Sequence, residues 1–160
     1  MAIQVGETLP TDITLREMRD GAITSVTLGD LVRGRRVVMF AVLGAFSPDC
    51  QAQLPGYIDQ ADAITAKGID EIICVAVNDP FVLDAWGSQL RAAGRVRIVS
   101  DGNADLARAV GLELDVRVIG MGTRSQRYAM IVDDGRVEQL LVETEPVLDR
   151  SRAEAVLREL

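Results

Sequence analysis

The chain has 160 residues, a net charge of -7, 48% hydrophobic and 26% charged residues, two cysteines and no histidine. About 150 residues suffice to bury roughly 68–70% of the unfolded surface, so one domain with a sizeable core is expected and a disordered chain is excluded. The acidic balance argues against a nucleic-acid partner, and the missing histidine removes Ser-His-Asp triads, Cys-His dyads, haem-ligating histidines and most transition-metal sites, so no cofactor and no metal are expected.

Taken in chain order, Ile13 to Met18 and Ile23 to Thr27 flank the turn Arg19-Asp20-Gly21 and predict a hairpin, followed by a short helix over Leu28 to Val32. The basic group Arg33, Arg35 and Arg36 is short and is expected to be solvated. Arg36 to Leu43 is a continuous apolar run ending at Gly44, the pattern of a buried central strand. Ser47-Pro48-Asp49 then combines an N-cap residue, proline at the first helical position and an acid in the first turn. This helix should run to Lys67 and stop at Gly68, with a kink or break near Leu54 imposed by Pro55 and Gly56.

Beyond it, Ile72 to Val77 predicts a second buried strand, Phe81 to Ala93 a helix stopped by Gly94, and Val96 to Val99 a third strand. Ala104 to Val110 predicts a short helix ended by Gly111, and Arg127 to Val132 and Val137 to Val142 a hairpin around Asp133-Asp134-Gly135. A last helix starts from Ser151. Strand, helix, strand, helix, hairpin and helix is a thioredoxin-like α/β order, with a central mixed β-sheet flanked by helices in a single domain over residues 1–160. The longest apolar run, Val37 to Phe46, is about half the ~20 residues a membrane span needs, and no basic-plus-apolar leader opens the chain. A cytoplasmic protein with free thiols and no membrane partner is expected.

With histidine absent, chemistry falls to Cys, Arg, Lys or carboxylates, and Cys50 stands out. If Ser47 is the cap, Cys50 is the third helical residue, where unpaired backbone N–H groups and the helix dipole favour thiolate, the species that attacks electrophiles. Thiolate formation alone is a small part of the ~10⁶-fold or greater acceleration enzymes reach, so positioning donors are also required. Asp49 opposes a neighbouring thiolate unless it points to solvent. Buried free cysteine is also a common core residue, and local features alone leave Cys50 open between the two.

The segment Leu43-Gly44-Ala45-Phe46-Ser47-Pro48-Asp49-Cys50, followed by Leu54-Pro55-Gly56-Tyr57, resembles the type II, or peroxiredoxin V, subfamily of peroxiredoxins, whose signature is Pro-x-x-x-Thr-x-x-Cys. The likeness continues through Lys67 to Ile72, Cys74-Val75-Ala76-Val77-Asn78-Asp79, Ala85-Trp86-Gly87, Gly111 to Asp115 and Arg124-Ser125-x-Arg127-Tyr128. It implies a thiol peroxidase that reduces hydrogen peroxide and alkyl hydroperoxides through a Cys50 sulfenic acid. By the same resemblance Ser47 stands at the family threonine and Arg127 at the family arginine, with Leu43, Gly44 and Phe46 in the substrate pocket. The simpler roles are a cap for Ser47 and a strand-surface charge for Arg127. Leu43 replaces the family proline, Ser47 lacks the methyl that fixes a threonine rotamer, the stretch from Cys50 to Pro55 is one residue shorter than usual, and Gln53 stands near a common histidine.

Residues 75 to 160 contain no cysteine, which excludes a C-terminal resolving thiol. Cys74 lies in an apolar strand pattern and is assigned to the core. The resemblance therefore implies an external thiol reductant, glutathione with glutaredoxin or thioredoxin. It also implies a homodimer, with Phe46, Phe81 and Trp86 at positions near that surface, for which core packing is the alternative. A second functional reading, a redox sensor or binding module of the same fold with weak turnover, follows from Leu43 and Ser47.

Overall fold

The structure, a computed structural model, describes residues 1–144 and 149–160. Along the chain lie β1 (Thr14–Arg19), β2 (Ala22–Thr27), α1 (Leu28–Val32), β3 (Arg36–Val42), α2 (Pro48–Asp59), α3 (Ala61–Thr65), β4 (Glu71–Ala76), α4 (Pro80–Leu90) and β5 (Arg97–Ser100). They are followed by α5 (Asp105–Ala109), β6 (Glu113–Asp115), a 3-10 turn at Arg117–Ile119, β7 (Thr123–Ser125), β8 (Tyr128–Asp133), β9 (Arg136–Val142) and α6 (Ala153–Arg158). Among the described residues a seven-stranded sheet runs β2-β1-β5-β4-β3-β8-β9, and β6 and β7 form a separate hairpin. No helix among these residues is long and apolar enough to cross a membrane.

The sheet is mixed because β3 pairs parallel with β4 and antiparallel with β8. Its central strands are continuously apolar because both faces are covered. Val37, Met39 and Ala41 of β3 and Ile73 and Val75 of β4 point to one cluster with Leu28, Leu31 and Val32 of α1 and Leu106 of α5. The alternate residues Val38, Phe40, Val42, Ile72, Cys74 and Ala76 point to the other, with Leu54 and Tyr57 of α2, Ile64 of α3, Leu83 and Trp86 of α4 and Val156 of α6. Cys50 and Cys74 belong to this second cluster.

Several expectations need correction. Pro55 does not break α2, which continues to Asp59 and gives way to α3 around Gln60. An interior proline costs about 3 kcal/mol, but Leu54 and Tyr57 on either side of it are wholly buried, and that packing holds the helix together. Helix α4 ends at Leu90, before Ala93, because Arg91 turns left-handed with φ 58°. Arg35 and Arg36 are not simply solvated: they are half-buried and pair with Glu71 at 2.8 Å and Glu138 at 3.0 Å. The β6–β7 hairpin had no counterpart among the predicted elements.

Candidate active site

The segment leaving β3 is a tight turn. Ser47 N donates to Gly44 O at 3.3 Å, and between them Phe46 takes φ 68°, a left-handed conformation that costs a bulky residue about 1–3 kcal/mol. Two side chains from other elements brace it. Asn78 Oδ1 accepts from Ala45 N at 2.9 Å, and Arg124, bonded to Val77 O at 2.9 Å and Met121 O at 2.8 Å, lies against Gly44. A Cβ on Gly44 would meet Arg124 Nη1 at 3.2 Å, so the close approach favours glycine there.

Ser47 is the N-cap residue of α2 by backbone conformation, and Cys50 is the third helical residue, as expected. The Ser47 side chain does not cap the helix, however. Its hydroxyl donates to Gly44 O at 2.7 Å and so reinforces the turn. That commits its one proton and leaves its lone pairs to accept. Cys50 is fully buried beneath the first turn, and Leu43 is half-buried against the same apolar cluster.

Arg127 reaches this turn through strand register. Tyr128 of β8 pairs with Ala41 near the end of β3, so Arg127, just before β8, arrives beside the segment that leads to α2. Its Nη1 donates to Asp49 Oδ2 at 2.5 Å, and its side chain is only 13% exposed. Arg127 is thus not a strand-surface charge, and Asp49 is paired with a cation beside Cys50. Trp86 Nε1 donates to Gln51 Oε1, tying α4 to the same turn of α2.

Ser47, Cys50 and Arg127 are therefore brought to one end of the sheet, with Leu43, Gly44 and Phe46 forming the adjoining turn. Trp86 is wholly buried and packs 6.5 Å from Phe46 between ring centroids, so of the three aromatics assigned to a surface only Phe46 and Phe81 are exposed. Cys74 is buried in mid-strand opposite Phe40; burial, with the nearby Cys50 adding to it, pushes its thiol well above the ordinary range. A cleft of about 650 Å³ lined by Arg16, Glu17, Arg91 and Arg97 contains none of the three site residues.

Sequence reasoning missed Asn78 and Arg124 as braces and Asp49 as the partner of Arg127. Asn78 and Arg124 fall inside the motif segments, but nothing in their spacing announces which turn they reach.

The Redoxin family model matches residues 4–157. Peroxiredoxin-2E-2, chloroplastic, of Oryza sativa subsp. japonica is 45% identical over 164 residues, which span 99% of this chain and 72% of that protein. Peroxiredoxin-2E, chloroplastic, of Arabidopsis thaliana is 39% identical over 163 residues, spanning 99% of this chain and 70% of that protein. The crystal structure of reduced Prx3 in complex with H2O2 from Vibrio vulnificus is 43% identical, with a TM-score of 0.92 over 98% of each chain.

Proposed function

The chain belongs to the redoxin family and, within it, to the type II peroxiredoxins, and from that membership we propose that its thiol peroxidase activity runs through Cys50, with Ser47 and Arg127 as positioning groups. The observation that carries this reading is the placement of a buried Cys50 in the first turn of α2, with the Arg127 guanidinium paired to Asp49 of the same turn. The Cys50 thiolate attacks the terminal peroxide oxygen. An S–O bond forms as the O–O bond breaks, and both electrons of that bond leave with alkoxide or hydroxide, which takes a proton to become alcohol or water. Arg127 supplies positive charge where this negative charge develops. Ser47, whose proton is engaged by Gly44 O, accepts from the peroxide O–H.

The resulting sulfenic acid condenses with an external thiol, releasing water and forming a mixed disulfide, and a second thiol restores Cys50. Cys74 is unsuited to this role because it is buried and held protonated. Cys50 has no exposed surface, so the residues over it must shift to admit a peroxide, and a larger reducing thiol requires the first turn of α2 to open further. Glutathione with glutaredoxin, or thioredoxin, serves as reductant. The exposed rings of Phe46 and Phe81, 46% and 62% accessible, support a homodimer whose contact lies beside the site.

The test is intact-mass analysis after one equivalent of hydrogen peroxide. A rapid gain of one oxygen by the wild-type chain and none by Cys50→Ser supports the reading. Equal oxidation of the variant, or peroxide turnover by it, overturns it.

A further inference from the structure

Ser151 is wholly buried and joins three parts of the molecule. Its hydroxyl and amide donate to Glu143 Oε2 at 2.6 and 2.8 Å, and the amides of Asp149 and Arg150 each add a bond of 3.0 Å to the same carboxylate. Its carbonyl accepts from the Tyr57 hydroxyl at 2.6 Å and from Gln53 Nε2 at 3.3 Å. Gln53 Nε2 also lies 3.1 Å from Ser151 Oγ. Gln53 and Tyr57 follow Cys50 by three and seven residues, which puts all three on one face of α2.

The other end of the chain of bonds leads to Arg127. Val142 pairs with Tyr128 across β9 and β8, so Glu143 and Arg127 lie side by side, and Glu143 N donates to Arg127 O at 2.9 Å. One residue is thereby bonded to the main chain of Arg127 and, through Ser151, to the helix that carries Cys50.

We propose that Glu143 is a positioning residue for the peroxidase reaction, holding the Cys50 helix and Arg127 in fixed relation through Ser151. It touches no reacting atom, and the proposal rests on the assignment of Cys50 and Arg127 made above. A charged acceptor with several donors makes a stiff, directional joint, and the part of the network at Ser151, Gln53 and Tyr57 is buried. Burial pushes the Glu143 carboxyl up, and the bonds from Ser151, Arg150 and Asp149 outweigh it and hold the group below the usual carboxylate range. Stiffness matters because a misplacement of ~1 Å between reacting groups can lower a rate by about 10²-fold.

Two variants probe the two ends. Glu143→Gln keeps the shape but sets an NH2 group against backbone donors, and Tyr57→Phe removes only the hydroxyl that reaches Ser151. The measured quantity is the second-order rate constant for oxygen addition at Cys50 by hydrogen peroxide, on variants that circular dichroism shows to be folded. Each single variant should be slower by roughly three- to tenfold, the equivalent of about one hydrogen bond. Because both act through Ser151, the double variant should be slower by clearly less than the product of the two single effects. A wild-type rate in either folded single variant, or effects that multiply fully, overturns the proposal. Failure of the wild-type chain itself to gain oxygen at Cys50 would instead overturn the assignment of the reacting thiol.

Discussion

Replacing Ser47 with alanine separates two roles that one hydroxyl can play. In the resting structure its bond to Gly44 O is 2.7 Å long and half-buried, and Ser47 N still bonds the same carbonyl at 3.3 Å after the change. A net loss of about 1 kcal/mol follows, which for a domain of this size lowers the melting temperature by about 2–4 °C. If the hydroxyl only shapes the turn, the effect ends there. If its lone pairs accept the peroxide O–H, the bound peroxide loses a partner worth about 1–2 kcal/mol, and the oxidation rate of Cys50 falls by roughly five- to thirtyfold. Rapid quench at several peroxide concentrations followed by intact-mass analysis gives that rate, and far-UV circular dichroism gives the melting temperature. Ser47→Thr keeps the hydroxyl and restricts its rotamer, so it should match or exceed the wild-type rate. Wild-type oxidation kinetics in folded Ser47→Ala would refute the acceptor role.

Cys74→Ala should leave peroxide consumption unchanged and cost about 1–2 kcal/mol of stability through a small core void, read as a lower melting temperature; loss of turnover in the folded variant would return Cys74 to the redox cycle. Burial holds the protons of Cys74 and Tyr57 above the ordinary values of 9.0 and 10.0, so their contribution to stability is complete below about pH 9 and is lost as pH rises through the folded-state values; urea midpoints should fall above that point, and a rise there would contradict the assignment. The Glu143 carboxyl is held low, so its contribution is present above its ordinary value of 4.5 and is lost as pH falls through the folded value; Glu143→Gln should flatten this acid limb of the same titration, and an unchanged limb would refute the link. Phe81→Asp, at a ring that is 62% exposed, should shift sedimentation toward the monomer, and an unchanged mass distribution would remove this ring from the contact.

The parts of the fold that were legible are those written locally. The helix at Leu28–Val32 carries its cap, and Thr27 and Asp30 form the reciprocal bonds of a capping box. Strands β3 and β4 announce themselves as unbroken apolar runs because both faces are covered. The failures are places where distant packing overrode a local signal. Pro55 signals a break that the buried Leu54 and Tyr57 suppress, and the three-residue strands β6 and β7 are too short to show a period. Ser47 occupies the cap position, but its hydroxyl found a nearer acceptor in Gly44 O.

The site divides in the same way. Cys50 is placed by its own neighbours, since a buried strand, a tight turn and a proline-started helix lie within one short segment. Its partners are placed by register and docking: Asp49 and Arg127 are 78 positions apart, and Gln53 and Ser151 are 98 apart. No local pattern encodes such pairs. The Asp49 carboxylate shows what is lost by reading locally. Next to a thiolate it looks adverse, yet in the folded chain it is the group that pairs with a cation at the first turn of α2. With the Asp49 side chain half exposed, the pair contributes at most about 1 kcal/mol to stability. On the proposed assignment of Cys50 its value is therefore geometric: it ties Arg127 to the turn that carries the reacting thiol.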